Sequence, residues 1–217
     1  MTPNEQQIFE YIKKGDVHNI ILCCHDIKIY SSAPLRCAAQ EGQLEIVKIL
    51  INRGANINDD AIYRATKNGH IDIVKFLVEK GGNISIDSIC EAIEKGNIEL
   101  VNFFLEKEKS RFTMNNDLFY NIASSKGHIN IIKLFIENNI HSFAAINGAV
   151  SNGHFEIVEY LLNNSSQNKY DSFNIACEKG HLNIIKLLWK HGAICTENQG
   201  LYIAIEHGHY DIVKHFI

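Results

Sequence analysis

Cys23-Cys24-His25 sets two thiols and an imidazole side by side, residue types that bind zinc. Such a site needs further ligands, usually a second pair at Cys-x-x-Cys spacing, and the sequence offers none. Five more histidines, His70, His128, His154, His181 and His209, each follow a glycine. As a ladder they would stand about one repeat apart, whereas zinc holds each histidine nitrogen at about 2.0–2.1 Å. No carboxylate or cysteine recurs beside them to hold a metal ligand in place. The chain has no phosphate-cradling glycine loop, no His-Glu-x-x-His and no Gly-x-Ser-x-Gly. The reading is therefore of no catalytic residue, no cofactor and no metal, with the many carboxylates forming a solvated face.

The histidines point instead to the elements that carry them. Gly15, Gly42, Gly69, Gly96, Gly127, Gly153, Gly180 and Gly208 recur at steps of 27, 27, 27, 31, 26, 27 and 28 residues. With each glycine as slot zero, slot −4 is Ala38, Ala65, Ala92, Ala123, Ala149, Ala176 and Ala204, and only the first unit departs, with Tyr11. Slots +2, +4, +5, +8 and +9 are apolar, a helical period with a wide face. A shorter helix precedes the glycine, with apolar residues at −7 and −4 such as Ile62 and Ala65. Alanine at −4 lets helices approach closely, and the glycine ends the first helix in a left-handed turn. Acids at +3, such as Glu45 and Asp72, suit the start of the second helix and can pair with Lys48 and Lys75 three residues on. Cys23 and Cys24 fall at +8 and +9, which this register reads as core, and Cys37, Cys90 and Cys177 are small fillers of the first helices. One hairpin cannot bury its own apolar face, but stacked neighbours can.

Composition agrees with a folded chain and excludes other classes. The 217 residues carry 46% apolar side chains and a net charge of −4, with acids and bases mixed. That balance gives little attraction to nucleic acid or an anionic membrane. No run approaches the roughly 18 apolar residues of a membrane span, and the start of the chain has no secretory pattern. Scattered cysteines read as free thiols of a reducing compartment, cytoplasmic or nuclear.

The segment from Ser32 to Asn58, with Ala33-Pro34-Leu35-Arg36 and Gly42-Gln43-Leu44-Glu45-Ile46-Val47-Lys48-Ile49-Leu50, resembles an ankyrin repeat. There Ala-Pro-Leu-Arg stands for the family's Thr-Pro-Leu-His. The resemblance implies an all-α, ankyrin-type α-solenoid of about eight stacked helix–turn–helix repeats. The chain reads as one domain, 1–217, with a degenerate N-terminal capping repeat over 1–30 and repeats over 31–217, the last incomplete. Thr2-Pro3-Asn4-Glu5 reads as a capping box. Short, Asn- and Ile-rich units like these resemble those of large DNA viruses and some protists.

The units depart from the family in length, being about six residues shorter than its usual ~33. The missing residues correspond to the tip of the family's β-hairpin finger. Asp60, Asp87 and Asp171 replace the Thr-Pro pair as expected helix N-caps. A binder of this kind relies on the first-helix face. The variable slots −2 and −1 are the candidate contacts: Gln40 and Glu41, Lys67 and Asn68, Glu94 and Lys95, Ser125 and Lys126, Ser151 and Asn152, Glu178 and Lys179, Glu206 and His207. Tyr63 and Tyr202 at −6 are candidate aromatic anchors or core residues. The long step spans residues 108–116, expected as a protruding loop or a bend, where Phe112 and Met114 either anchor a partner or pack beneath the loop. The expected partner is a protein, with no nucleic acid and no membrane. A monomer is expected, and end-to-end stacking through the last helix is the alternative.

Overall fold

A computed structural model describes residues 5–23, 32–142, 145–164, 169–193 and 199–217. The described residues form seventeen helices and no strand. They fall into two compact units, Met1–Glu108 and Lys109–Ile217. The Thr2-Pro3-Asn4 part of the expected capping box, together with Cys24 and His25, lies outside the described residues.

Unit 1 holds four helical hairpins: α1 (Glu5–Lys14) with α2 (Val17–Cys23), α3 (Ala33–Gln40) with α4 (Leu44–Asn52), α5 (Asp59–Lys67) with α6 (Ile71–Glu79), and α7 (Ile86–Glu94) with α8 (Ile98–Lys107). Unit 2 opens with a short extra helix, α9 (Lys109–Met114). Four hairpins follow: α10 (Asn116–Ser125) with α11 (Ile129–Glu137), α12 (Ala145–Ser151) with α13 (Phe155–Asn164), α14 (Lys169–Lys179) with α15 (Leu182–Lys190), and α16 (Gln199–Glu206) with α17 (Tyr210–Phe216). Within each unit every first helix packs on its own second helix and on the next first helix. This is the α-solenoid arrangement, repeated in each unit.

The register explains the packing. All seven slot −4 alanines are fully buried where first helices meet. Slots +4, +5, +8 and −7 supply most of the remaining core, from Ile46, Val47, Leu50 and Leu35 to Ile184, Ile185, Leu188 and Phe173. Slots +2 and +9 are not core throughout, because they lie at the margins of the second helix. Ile98, Phe155 and Tyr210 at +2 are exposed, as is Trp189 at +9.

The histidines have a role the sequence reading placed too locally. His70 Nε2 donates to the main-chain oxygen of Gln40 (2.9 Å), His154 to Ser125 (3.0 Å), His181 to Ser151 (3.4 Å) and His209 to Glu178 (2.7 Å). A carbonyl only accepts, so Nε2 carries the proton. Each bond joins slot +1 of one repeat to slot −2 of the preceding one. It satisfies an end-of-helix carbonyl and clamps neighbouring hairpins together. Each of these rings also covers the slot-zero glycine of the preceding repeat, so glycine is required there twice over. Gly42 has φ +73°, and a Cβ on it would lie 2.6 Å from His70 Cε1. Gly69 has φ +77° with nothing within 4 Å of an added Cβ. Gly42→Ala should therefore cost more than Gly69→Ala. Both take the left-handed penalty of about 1–2 kcal/mol. Gly42→Ala also displaces His70, for about 1 kcal/mol more. Equal urea midpoints for the two variants would count against the clamp.

Other local expectations are corrected by which group reaches the helix end. The N-caps of α5 and α7 are Asn58, accepting from Ala61 N (3.2 Å), and Ser85, accepting from Ser88 N (3.1 Å). Asp60 and Asp87 sit inside the first turn instead. Glu45 does pair with Lys48 (2.7 Å), but Lys75 bonds Glu99 of the next repeat (2.7 Å). Many asparagines have work at helix ends. Asn68, Asn138, Asn152 and Asn164 donate through Nδ2 to the carbonyl four residues back. Residues 109–114 form α9, a helix in place of the protruding loop that the long step suggests. Two residues apart on a helix are about 200° apart around its axis. Phe112 therefore turns inward, fully buried, and Met114 outward, 82% exposed.

Candidate protein-binding surface

The first-helix face of unit 1 contains a cleft of about 610 Å³ between α5 and α7. Asp59, Asp60 and Tyr63 line it from α5, with Ser85, Asp87, Cys90, Glu91 and Glu94 from α7 and its N-cap. Its described lining includes five carboxylates and no lysine or arginine. Asp87, Glu91 and Glu94 follow one another at i, i+4 and i+7, so helix geometry alone puts them on one stripe.

The carboxylates are held differently. Asp60 accepts from Arg36 Nη1 and Arg64 Nε, both at 3.0 Å. Burial pushes its carboxyl up, but the bonds and charges of Arg64 and Arg36 outweigh this and leave it below its ordinary value. A carboxylate depressed in the folded state stabilises the fold above its unfolded value, about pH 3.9. That contribution drains away as pH falls through the lower folded value. Acid unfolding of unit 1 below about pH 4 should therefore be less steep in Asp60→Asn. An unchanged acid transition would remove Asp60 from that account. Asp59 accepts from Asn83 Nδ2 (3.0 Å), and Glu91 is 3.4 Å from the Tyr63 hydroxyl that donates to it. Burial, with Asp87 and Glu94 adding to it, pushes the Cys90 thiol up to about 11, so it stays a neutral thiol.

Of the residues expected from slot variation, the cleft gathers Tyr63 and Glu94. Lys67 lies beside it, with Nζ 5.8 Å from the centre of the Tyr63 ring. Gln40 accepts from Arg64 Nη1 (2.7 Å), Glu41 and Lys95 are exposed, and Asn68 caps its own helix. In unit 2, Lys126, Asn152, Lys179, Glu206 and His207 are exposed at first-helix ends. Ser125, Ser151 and Glu178 are half-buried and give their main-chain oxygens to the clamps. Glu178 pairs with Lys179 (2.9 Å), and Tyr202 is 66% exposed on α16. Slot reasoning missed Asp59, Asp60, Ser85, Asp87, Cys90 and Glu91. The 87, 91, 94 stripe was the available signal.

Sequence comparison decides the family. The profile described as Ankyrin repeats (3 copies) matches residues 8–88, 89–172 and 149–217. The chain belongs to the ankyrin repeat family. Ankyrin repeats are generally protein–protein interaction modules and typically non-enzymatic scaffolds. Comparison with curated proteins gives no match. Among solved structures, the crystal structure of the human ASB11 ankyrin repeat domain is similar, with a TM-score of 0.61 and 21% identity. The similarity covers 76% of this chain and 86% of that one, and it bears on the fold alone. Among the described residues no helix is long and apolar enough to cross a membrane, and no group of three or more potential metal ligands gathers.

Proposed function

We propose that this ankyrin protein is a non-catalytic scaffold or adaptor that binds a partner protein through its first-helix face. We place the centre of the unit 1 contact in the α5–α7 cleft. The observation that carries this reading is the cleft itself, concave, with five carboxylates around Tyr63 and Cys90. An aromatic ring in a concave acidic setting suits an arginine or lysine side chain of the partner, by charge and by stacking. The free cysteines among the described residues suit a reducing compartment, the cytoplasm or nucleus. Selection of a random displayed peptide library on the purified chain should enrich arginine- and lysine-bearing sequences. Enrichment of acidic or uncharged sequences would overturn the assignment of the cleft.

A second reading, self-association through α16–α17, has one observation in its favour. Slot −3 is buried at Ile12, Ala39, Thr66, Ser124, Val150 and Cys177, between 0% and 2% exposed. Ile205 holds the same slot and is 55% exposed, with Tyr210 at 83% nearby on α17. Sedimentation across a concentration series tests it. A chain that stays monomeric at the highest concentration excludes this reading, and an Ile205→Glu variant should abolish any association that does occur.

A further inference from the structure

The three joints of unit 1 are built differently. At the first, the Gln43 side chain covers Gly15, its Oε1 2.9 Å from where a Cβ would lie. At the second, His70 covers Gly42 and bonds the Gln40 carbonyl, while Arg36–Asp60 and Arg64–Gln40 cross between α3 and α5. At the third, between α5 and α7, slot +1 is Asn97. Its Oδ1 accepts from Leu100 N (3.1 Å) and so caps α8. A side chain this short cannot cap its own helix and also reach the preceding repeat. Gly69 accordingly has nothing within 4 Å of an added Cβ.

Thr66 marks the same joint. It occupies slot −3, which in unit 2 faces the next first helix. A Cβ on Gly148 would lie 2.5 Å from Ser124 Oγ, and one on Gly200 would lie 3.2 Å from Cys177 Sγ. Thr66 is 2% exposed and its hydroxyl has no hydrogen-bond partner. An unpaired buried hydroxyl recovers its hydration when the surface around it opens. Side-chain bonds that cross here, among them Asn83–Asp59, Tyr63–Glu91 and Lys75–Glu99, lie at exposed or half-buried positions where such pairs hold little.

We propose that the α5–α7 joint is a hinge built into unit 1, at which the α7–α8 hairpin moves against α5–α6 and the acidic cleft widens and narrows. Local opening follows the weakest set of contacts, and three independent features converge here: the missing clamp, the unpaired Thr66 hydroxyl and the open cleft. The hinge does not depend on what the cleft binds. A partner that fits one width would select that state.

Cys90 lines the cleft and reports its opening directly. The experiment measures the rate at which a maleimide labels Cys90 and Cys37, resolved by peptide mass mapping at fixed pH. Asn97→His supplies the missing clamp, and Thr66→Val removes the unpaired hydroxyl at nearly constant shape. Each should slow Cys90 labelling by about fivefold, the weight of one net hydrogen bond. Cys37, on α3, should keep its rate. Circular dichroism confirms that both variants fold, and either variant alone suffices for the test. An unchanged Cys90 rate in folded variants overturns the hinge. So does an equal change at Cys37, which would mean that the whole unit opens. Peptide binding is not read, so failure here and failure of the binding assignment are separate results.

Discussion

Phe112→Ala should destabilise unit 2 by about 3–5 kcal/mol, the range for deleting a buried aromatic ring. Phe112 is fully buried, 5.0 Å from the Phe119 ring centre and 5.9 Å from that of Phe135. Tyr120 continues the cluster, 5.2 Å from Phe135, and its hydroxyl donates to the Ile140 carbonyl (2.8 Å). Truncation would leave a cavity bounded by α9, α10 and α11, whose neighbours are too constrained by their own repeat packing to fill it. Met114→Ala, two residues away, should change stability by less than about 0.5 kcal/mol, because the side chain is in solvent. Urea unfolding with hydrogen exchange in α10 and α11 distinguishes the two variants. If Phe112→Ala kept full protection in those helices but lost a bound protein, Phe112 would be a contact residue and not a core one.

This pair shows where the sequence was sufficient and where it fell short. The alanine and glycine slots were legible because they repeat, and repetition separates a packing requirement from accident. Seven alanines in register could only be the approach of neighbouring helices, and all seven are buried. Residues 108–116 occur once, so no comparison between copies could separate loop from helix there. The spacing of Phe112 and Met114 becomes informative only after the segment is known to be helical. The histidines were legible as architecture but not as clamps, because the carbonyl each one binds lies about thirty residues back. For His70 the partner is Gln40.

The cleft was partly legible for a related reason. Variation at slots −2 and −1 marks candidate contacts in the sequence. Several of those residues also finish helices, as Asn68 and Asn152 do by bonding the carbonyl four residues back. Three of the cleft's five acids, Asp59, Asp60 and Asp87, come from the first turns of their helices. Each reads singly as a favourable first-turn charge. Their convergence depends on α5 and α7 packing side by side. That juxtaposition joins residues twenty-odd positions apart, as in the bond from Asn83 to Asp59.

Reversing Glu91 and Glu94 to lysine should then weaken binding of an arginine- or lysine-bearing partner at least about tenfold, close to 1.4 kcal/mol. The double variant replaces two attractive charges with two repulsive ones inside a concave surface. There, fields are less screened than on a flat one, and like charges brought together cost several kcal/mol. Stability should change little, since Glu94 is exposed and the bond from Tyr63 to Glu91 is long. Most of the loss should fall on the association rate and shrink as salt rises, because the Debye length at physiological ionic strength is about 8 Å. Lys126→Glu and Glu178→Lys, on unit 2, give the comparison that locates the surface. Should they abolish capture while Glu91→Lys with Glu94→Lys binds as before, the binding face belongs to unit 2 and the cleft is only a gap between helices. Lys67→Glu separates charge from shape, since its ammonium sits over Tyr63 beside the cleft. A partner recognised by charge should bind that variant more tightly, as it deepens the negative field. A partner recognised by the ring would lose the packing of the lysine stem on Tyr63 and bind it less well.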